Sequence, residues 1–343
     1  MSKTVLVTGG SGFIAGYCIL QLLEQGYQVR TTVRSPGREV AIRDLLKEIG
    51  QQPGTALSFV VADLTSDAGW PEAVAGCDYV LHVASPLPLT TPKNDDELII
   101  PAREGTLRVL RTARDAGVKR VVLTSAFMAV GYGYPHTDRL FTEDDWTITD
   151  GPGVSVYGKS KTLAERAAWD FMAAEGGSME LTTIIPVAVL GPVLGKEVTG
   201  SNELVRRLLD GALPGYPDFY MPIVDVRDVA NAHLLAMTAP AAANQRFITS
   251  SGAAFSMKQV GTILKGHFGE KARRVPKRSI PNFVLRFAAL FDHTVREIAP
   301  DLGYARKMTS EKAHRLLGWQ PRKPEIAIIE TAESMIKKGL VKA

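Results

Sequence analysis

Cysteine is almost absent from this 343-residue chain, with Cys18 and Cys77 the only two. They form no C-x-x-C pair, so a disulfide framework or a thiolate metal site is not what holds the chain together. Two buried thiols in a reducing compartment are expected, and with them a cytoplasmic location. No apolar run approaches the ~20 residues needed to cross a bilayer. A strand-like run begins directly after the first residues and leaves no room for a leader segment. His82 has no ligand spacing to the other five histidines, so it reads as structural and no metal is expected. Basic residues are not interleaved with stacking aromatics, which argues against a nucleic-acid partner. No membrane partner is expected either, and the chain reads as a monomer or homodimer acting on a small molecule. The net charge of +4 is unevenly placed. Residues 261–343 hold 17 Lys+Arg against 8 Asp+Glu, a surplus of nine, leaving −5 for the remainder. A solvated mixed surface is the simplest reading of that surplus, and a mild pull on anionic ligands is the sharper one.

What is present starts with KTVLVTGGSGFIAG, Lys3 to Gly16. Val5, Leu6, Val7 and Thr8 form a short apolar and β-branched run, as in a buried parallel strand. After Gly9, Gly10, Ser11 and Gly12 the apolar positions switch to helical spacing at Phe13, Ile14, Tyr17, Leu20 and Leu23. A strand, a glycine turn and a helix make the entry to a dinucleotide site. Glycine permits the tight turn and close backbone approach to a pyrophosphate. The N–H groups that open the helix, at Phe13 and Ile14, offer partial positive charge to the phosphates. Two registers fit, Gly10-x-Gly12-x-x-Ala15 and Gly9-x-x-Gly12-x-x-Ala15.

Strand and helix patterns then alternate, as in a doubly wound parallel sheet. The second strand, 27–33, ends in Arg34, where NAD sites usually carry an acid for the ribose 2′-hydroxyl. No acid follows until Glu39, and Arg34, with Arg38 as a second candidate, suits a 2′-phosphate instead. The third strand, 57–61, is followed directly by Asp63 and Leu64, at the strand end where an adenine edge would lie. His82-Val83-Ala84-Ser85-Pro86 closes the fourth strand, and Thr124-Ser125-Ala126 the fifth. A Gly-, Tyr-, Pro- and Asp-rich segment from 126 to 155 has the length of a binding loop or lid. Phe127, Met128, Tyr132, Tyr216 and Phe219 are candidates to line the pocket beneath it. Tyr157 and Lys161 follow on a helix to about Ala174, four residues apart and so on one face. The sixth strand, 181–185, ends at Pro186.

The TGxxGxxA start, HVASP after the fourth strand and Y-x-x-x-K together resemble the extended short-chain dehydrogenase/reductases. PVAVLGP (186–192), VDVRDVANAH (224–233), LGWQPR (317–322) and TEDDW (142–146) narrow the resemblance to the dihydroflavonol-reductase-like, aldehyde- and ketone-reducing branch. It covers nearly the whole chain. The fold it implies is α/β: a Rossmann-type doubly wound parallel sheet with a smaller C-terminal α+β substrate domain. The NADP-binding domain would span 1–189, with 223–249 returning to it, and 190–343 would mainly bind substrate. The activity implied is NADPH-dependent reduction of an aldehyde or ketone. Tyr157 would donate the proton, and Lys161 would lower the pKa of the phenol and hold the nicotinamide ribose. Cofactor contacts would come from Gly9, Gly12, Phe13, Ile14, Arg34, Asp63, Leu64, Ala84, Tyr157, Lys161, Pro186 and Val189, the last toward the carboxamide. Relatives carry two serines after the fifth strand, and the second bonds the substrate oxygen. Here Ala126 falls in its register, leaving Ser125, or an ordered water, as the expected catalytic donor. Two alternatives share the fold: a sugar-nucleotide epimerase or dehydratase, and a non-catalytic protein that senses NADP(H).

Overall fold

The computed structural model describes residues 2–86 and 94–342. The first half runs β1 Thr4–Val7, α1 Phe13–Glu24, β2 Gln28–Val33, α2 Gly37–Glu48, β3 Leu57–Val61, α3 Trp70–Val74, β4 Tyr79–His82, α4 Asp96–Asp115 and β5 Arg120–Thr124. There follow β6 Leu140–Phe141, α5 Val156–Glu175, β7 Glu180–Pro186, β8 Ala188–Leu190, α6 Asn202–Leu209, β9 Tyr220–Met221, β10 Ile223–Asp225, α7 Val226–Thr238 and β11 Gln245–Thr249. The remainder comprises β12 Phe255–Ser256, α8 Met257–Phe268, α9 Asn282–Ala288, α10 His293–Ile298, β13 Lys307–Met308, α11 Glu311–Leu317 and α12 Pro324–Lys337.

Seven strands make one parallel sheet in the order β11-β7-β5-β4-β1-β2-β3. The order reverses between β1 and β4, and that switch point opens a crevice at the carboxyl ends of the strands. The central strands are apolar on both faces because helices cover both: Val5, Leu6, Val7, Val80, Leu81, Val121 and Val122 are fully buried. One core cluster joins the sheet to α1 and α7, and a second joins its other face to α3, α4 and α5.

A smaller unit has its own apolar cluster, built from Leu190, Val205, Leu208, Tyr216, Val260 and Leu264 with Ile328 of α12. Short ribbons tie it down. β8 pairs with β10 in parallel and β9 with β12 antiparallel, while β13 reaches back to β6 inside the long segment after β5. Helix starts follow local chemistry. Ser155 accepts from the Gly158 N–H at 3.1 Å to open α5, Asp225 accepts from Arg227 N–H at 2.8 Å to open α7, and Ser256 with Gln259 closes a reciprocal cap on α8.

Candidate active site

The glycine turn after β1 is built as a cradle. Gly9 has φ +72, a left-handed conformation that glycine takes without strain, and a Cβ there would sit 3.0 Å from Ala84 Cβ. A Cβ on Gly10 would collide with Thr31 Oγ1, so the turn lies tight on β2. Gly9 N–H donates to Thr32 Oγ1 at 2.9 Å, and Gly12 N–H to the Gly9 carbonyl at 2.8 Å. Gly12 is the N-cap of α1 and offers no side-chain cap. The N–H groups of Phe13 and Ile14, in the first turn, therefore point outward without an intrahelical acceptor. That is the donor array a pyrophosphate needs.

Thr8 fixes the neighbouring strand end. Its Oγ1 accepts from the N–H groups of Val83 and Ala84 at 3.0 and 2.9 Å and so directs its own hydrogen to His82 Nδ1, 2.9 Å away. His82 is buried and held neutral: burial, aided by the Lys161 charge, lowers it to about 3. Its expected structural role is the one the geometry gives it. Arg34 stands exposed just past β2 and makes no ion pair with the described residues. Arg38 is already drawn to Glu197 at 3.6 Å. Asp63 follows β3, and bonds from the Thr65 hydroxyl and N–H, with the Arg34 charge, hold its carboxyl below the usual range. Leu64 packs toward α4, where a Cβ on Gly105 would come within 2.8 Å of it, and its carbonyl accepts from Arg108. Pro186 is the buried last residue of β7, and half-buried Val189 lies in β8 beside Val224.

Tyr157 and Lys161 stand one turn apart in the first turns of α5. Lys161 is buried, and its Nζ donates to the carbonyl of Thr124 at 3.1 Å. Burial lowers its pKa to about 8, and the Glu165 carboxylate opposes that fall. The Tyr157 phenol moves the other way, pushed up to about 12 by burial. The phenol thus lies above its ordinary value rather than below it as expected from sequence, because burial dominates, and the Lys161 ammonium bonds a backbone carbonyl.

Ser125 also departs from expectation. Its hydroxyl donates to Glu165 Oε2 at 2.5 Å, so its one hydrogen is not free for a substrate oxygen. The pleat explains this: Thr124 sends its hydroxyl to His233 Nε2 of α7 at 2.7 Å, and Ser125, on the opposite face, meets α5. His233 in turn donates from Nδ1 to the Val229 carbonyl, and burial lowers it to about 4. In this arrangement the expected donor, Ser125, spends its hydrogen on Glu165, and Ala126, buried, begins the turn that follows.

Two residues not anticipated complete this side of the site. Glu165 is 1% exposed and gathers Ser125, Thr183 Oγ1 at 3.0 Å and Arg246 Nε at 2.8 Å. Arg246, on β11, donates onward to the carbonyls of Glu143 and Asp145 and stacks its guanidinium 3.7 Å from the Trp146 ring. A chain of charged contacts thus runs from the helix of Tyr157 to the segment after β5. Continuing the four-residue spacing, Tyr157 to Lys161 to Glu165, would have found Glu165. No sequence signal marks Arg246. Of the pocket-lining candidates, Phe127 and Tyr216 are core, Tyr132 packs on Arg306 at 3.8 Å, and Phe219 packs against the smaller unit's core. Met128 lies beside α5, its Cε 3.6 Å from where a Gly158 Cβ would be.

Residues 5–250 match the model of the NAD dependent epimerase/dehydratase family. The chain belongs to that family, the extended short-chain dehydrogenase/reductases. Within it, the chain is 33% identical over 346 residues to a cinnamoyl-CoA reductase of Medicago truncatula, covering 98% of this chain and 97% of that one. It is 37% identical over 257 residues to tetraketide alpha-pyrone reductase 2 of Arabidopsis thaliana, covering 73% and 79% respectively. Among solved structures, Gre2 of Candida albicans in complex with NADPH superposes with a TM-score of 0.81 at 27% identity, covering 98% of this chain and 99% of that one. The glycine turn, Arg34, Asp63 and Ala84 stand just past the carboxyl ends of β1, β2, β3 and β4.

Proposed function

We propose that this protein is an NADPH-dependent reductase that converts an aldehyde or ketone to the alcohol. The observation that carries the proposal is the placement of Tyr157 and Lys161 on one face of α5, with Lys161 anchored on the last carbonyl of β5. That pair adjoins the sheet edge that bears the glycine cradle. The residues fit a nicotinamide dinucleotide: unaccepted N–H groups at Phe13 and Ile14 for the pyrophosphate, and an unpaired Arg34 for a 2′-phosphate. When bound, the dinucleotide supplies the hydride.

The chain handles the proton. At neutral pH the buried phenol of Tyr157 is protonated, as a donor to a developing alkoxide must be. Lys161, lowered by burial to about 8, would supply positive charge that favours the phenolate left behind. Residues 190–222 and 250–342 would form the substrate side of the cleft, and 1–189 with 223–249 the cofactor side. Relatives named as cinnamoyl-CoA, alpha-pyrone and methylglyoxal/isovaleraldehyde reductases support carbonyl reduction as the reaction class.

The test is NADPH consumption over a panel of aromatic, aliphatic and α-keto carbonyls, with Tyr157→Phe beside the wild type. Tyr157→Phe is expected to lose roughly 10²–10⁴ in kcat while binding NADPH normally. A variant that keeps its rate, or a wild type that reduces no carbonyl, overturns the proposal.

A further inference from the structure

The even scatter of charge expected from the sequence fails in one place. From Lys271 to Phe291 there are six cations (Lys271, Arg273, Arg274, Lys277, Arg278 and Arg286) and no acid. All six are exposed, and none pairs with a described residue. The same stretch carries the most exposed apolar residues of the described chain. Phe283, Phe287, Leu290 and Phe291 are 74%, 66%, 64% and 78% exposed, and Val284 is 42%. Their spacing follows one helical face through α9 and the turn after it, while Leu285 and Ala289 point inward and are buried. Single exposed apolar residues need no explanation, but a contiguous patch of this size does.

Hydrogen bonds tie down the backbone beneath the patch. The Tyr216 N–H donates to the Arg278 carbonyl at 2.9 Å and the Tyr216 carbonyl accepts from the Ile280 N–H at 2.8 Å, pinning the basic run to the smaller unit. The carbonyls that end the apolar turn are taken: Ala288 by Phe291 and Asp292, and Ala289 and Leu290 by Arg296 at 2.9 and 3.0 Å. A helical tip whose carbonyls at Ala288, Ala289 and Leu290 are already bonded enters a low-dielectric layer at reduced cost.

We propose that residues 271–291 form a docking surface for an anionic lipid bilayer, with the Phe283/Phe287/Phe291 face in the headgroup boundary and the six cations on acidic headgroups. An apolar helical face bordered by unpaired Lys and Arg is the physical signature of such surface binding. Self-association through this face is disfavoured, since a twofold contact would bring two sets of six cations together. No helix among the described residues is long and apolar enough to cross a membrane, so the contact is peripheral. The inference does not depend on the carbonyl reading.

The full chain is sedimented with vesicles of phosphatidylcholine alone and with vesicles that also contain phosphatidylglycerol. Binding to the acidic vesicles is expected, weakened by salt and roughly tenfold or more poorer on phosphatidylcholine alone. Lys277→Glu with Arg278→Glu should reduce it by about fivefold or more for each cation removed. Phe287→Ser with Phe291→Ser should lose binding at low salt while keeping the wild-type circular dichroism and NADPH affinity. Absence of binding to acidic vesicles overturns the proposal. So does binding unchanged in both variants, or a dimer by light scattering that the serine variant makes monomeric, which would identify a second copy as the occupant.

Discussion

Replacing Glu165 with Gln is the sharpest probe of how the site is held. The carboxylate is 1% exposed and faces an Arg246 side chain that is 10% exposed, so the pair is largely out of water. Removing one partner of such a pair costs about 3–5 kcal/mol, because a buried charge is left uncompensated. The amide keeps one acceptor for the hydrogens of Ser125, Thr183 and Arg246, which returns part of the loss, so a decrease of about 3 kcal/mol is expected. Urea unfolding of Glu165→Gln, Arg246→Met and the double variant measures the coupling, and the double variant should be no less stable than the worse single one. A second readout comes from Lys161. The groups facing it are Tyr157 and Glu165 from its own helix, His82 from β4 and the Thr124 carbonyl from β5. Loss of the carboxylate disfavours the ammonium, so the alkaline limb of carbonyl reduction, expected near pH 8 in the wild type, should move to lower pH. Additive energies together with an unmoved limb would refute the reasoning.

Arg34→Ala should weaken NADPH by about 1.5–3 kcal/mol, the scale of a charged hydrogen bond, and leave NADH nearly unchanged. Equal titrations of both cofactors against wild type would remove Arg34 from the site. His82 and His233 are buried neutral, at about 3 and about 4, below the unfolded value, so their contribution is complete above pH 6.5 and lost as pH falls toward those values. By linkage the two together make the protein about 4 kcal/mol less stable at about pH 5 than at neutrality, and His233→Gln should remove half of that slope in urea melts. Ala126→Ser should raise kcat, because a missing oxyanion donor typically costs ~10²–10³ in rate. An unchanged rate at saturating NADPH would mean that this position does not face the carbonyl oxygen.

The central strands were legible because burial on both faces demands apolar runs, and β3, read as 57–61, falls on Leu57–Val61. The ribbons β6, β8, β9, β10, β12 and β13 were not, since two or three residues carry no period and pair only once the smaller unit has docked. Tyr157 and Lys161 announced themselves by spacing and position. Ser125 could not be placed that way, because which face of β5 meets α5 follows from helix packing rather than from neighbouring residues. Arg246 carries no signal of its own in the sequence, and its meaning lies in Glu165, eighty-one positions earlier. Phe127 and Tyr216 show the limit of reading aromatics as pocket wall: an aromatic ring fills a core as readily as it lines a cleft.

The parallel pairing of β13 with β6 sets an order of events during folding. Lys307 lies beside Leu140 and Met308 beside Phe141, and Arg306 donates to the Gly131 carbonyl while pairing with Asp301. Tyr304 receives Thr137 N–H and returns its hydroxyl hydrogen to the Thr137 carbonyl, 167 positions away in the chain. Contacts so distant in sequence form late, after the loop entropy has already been lost elsewhere. A nascent chain on the ribosome therefore builds β1 to β5 and α5 well before the segment after β5 acquires its partner strand. Until the region near residue 308 emerges, Tyr157 sits on a formed helix beside an unfinished wall. Acquisition of activity should accordingly lag behind the appearance of helical signal during refolding, with the interval set by closure of this one long-range pair.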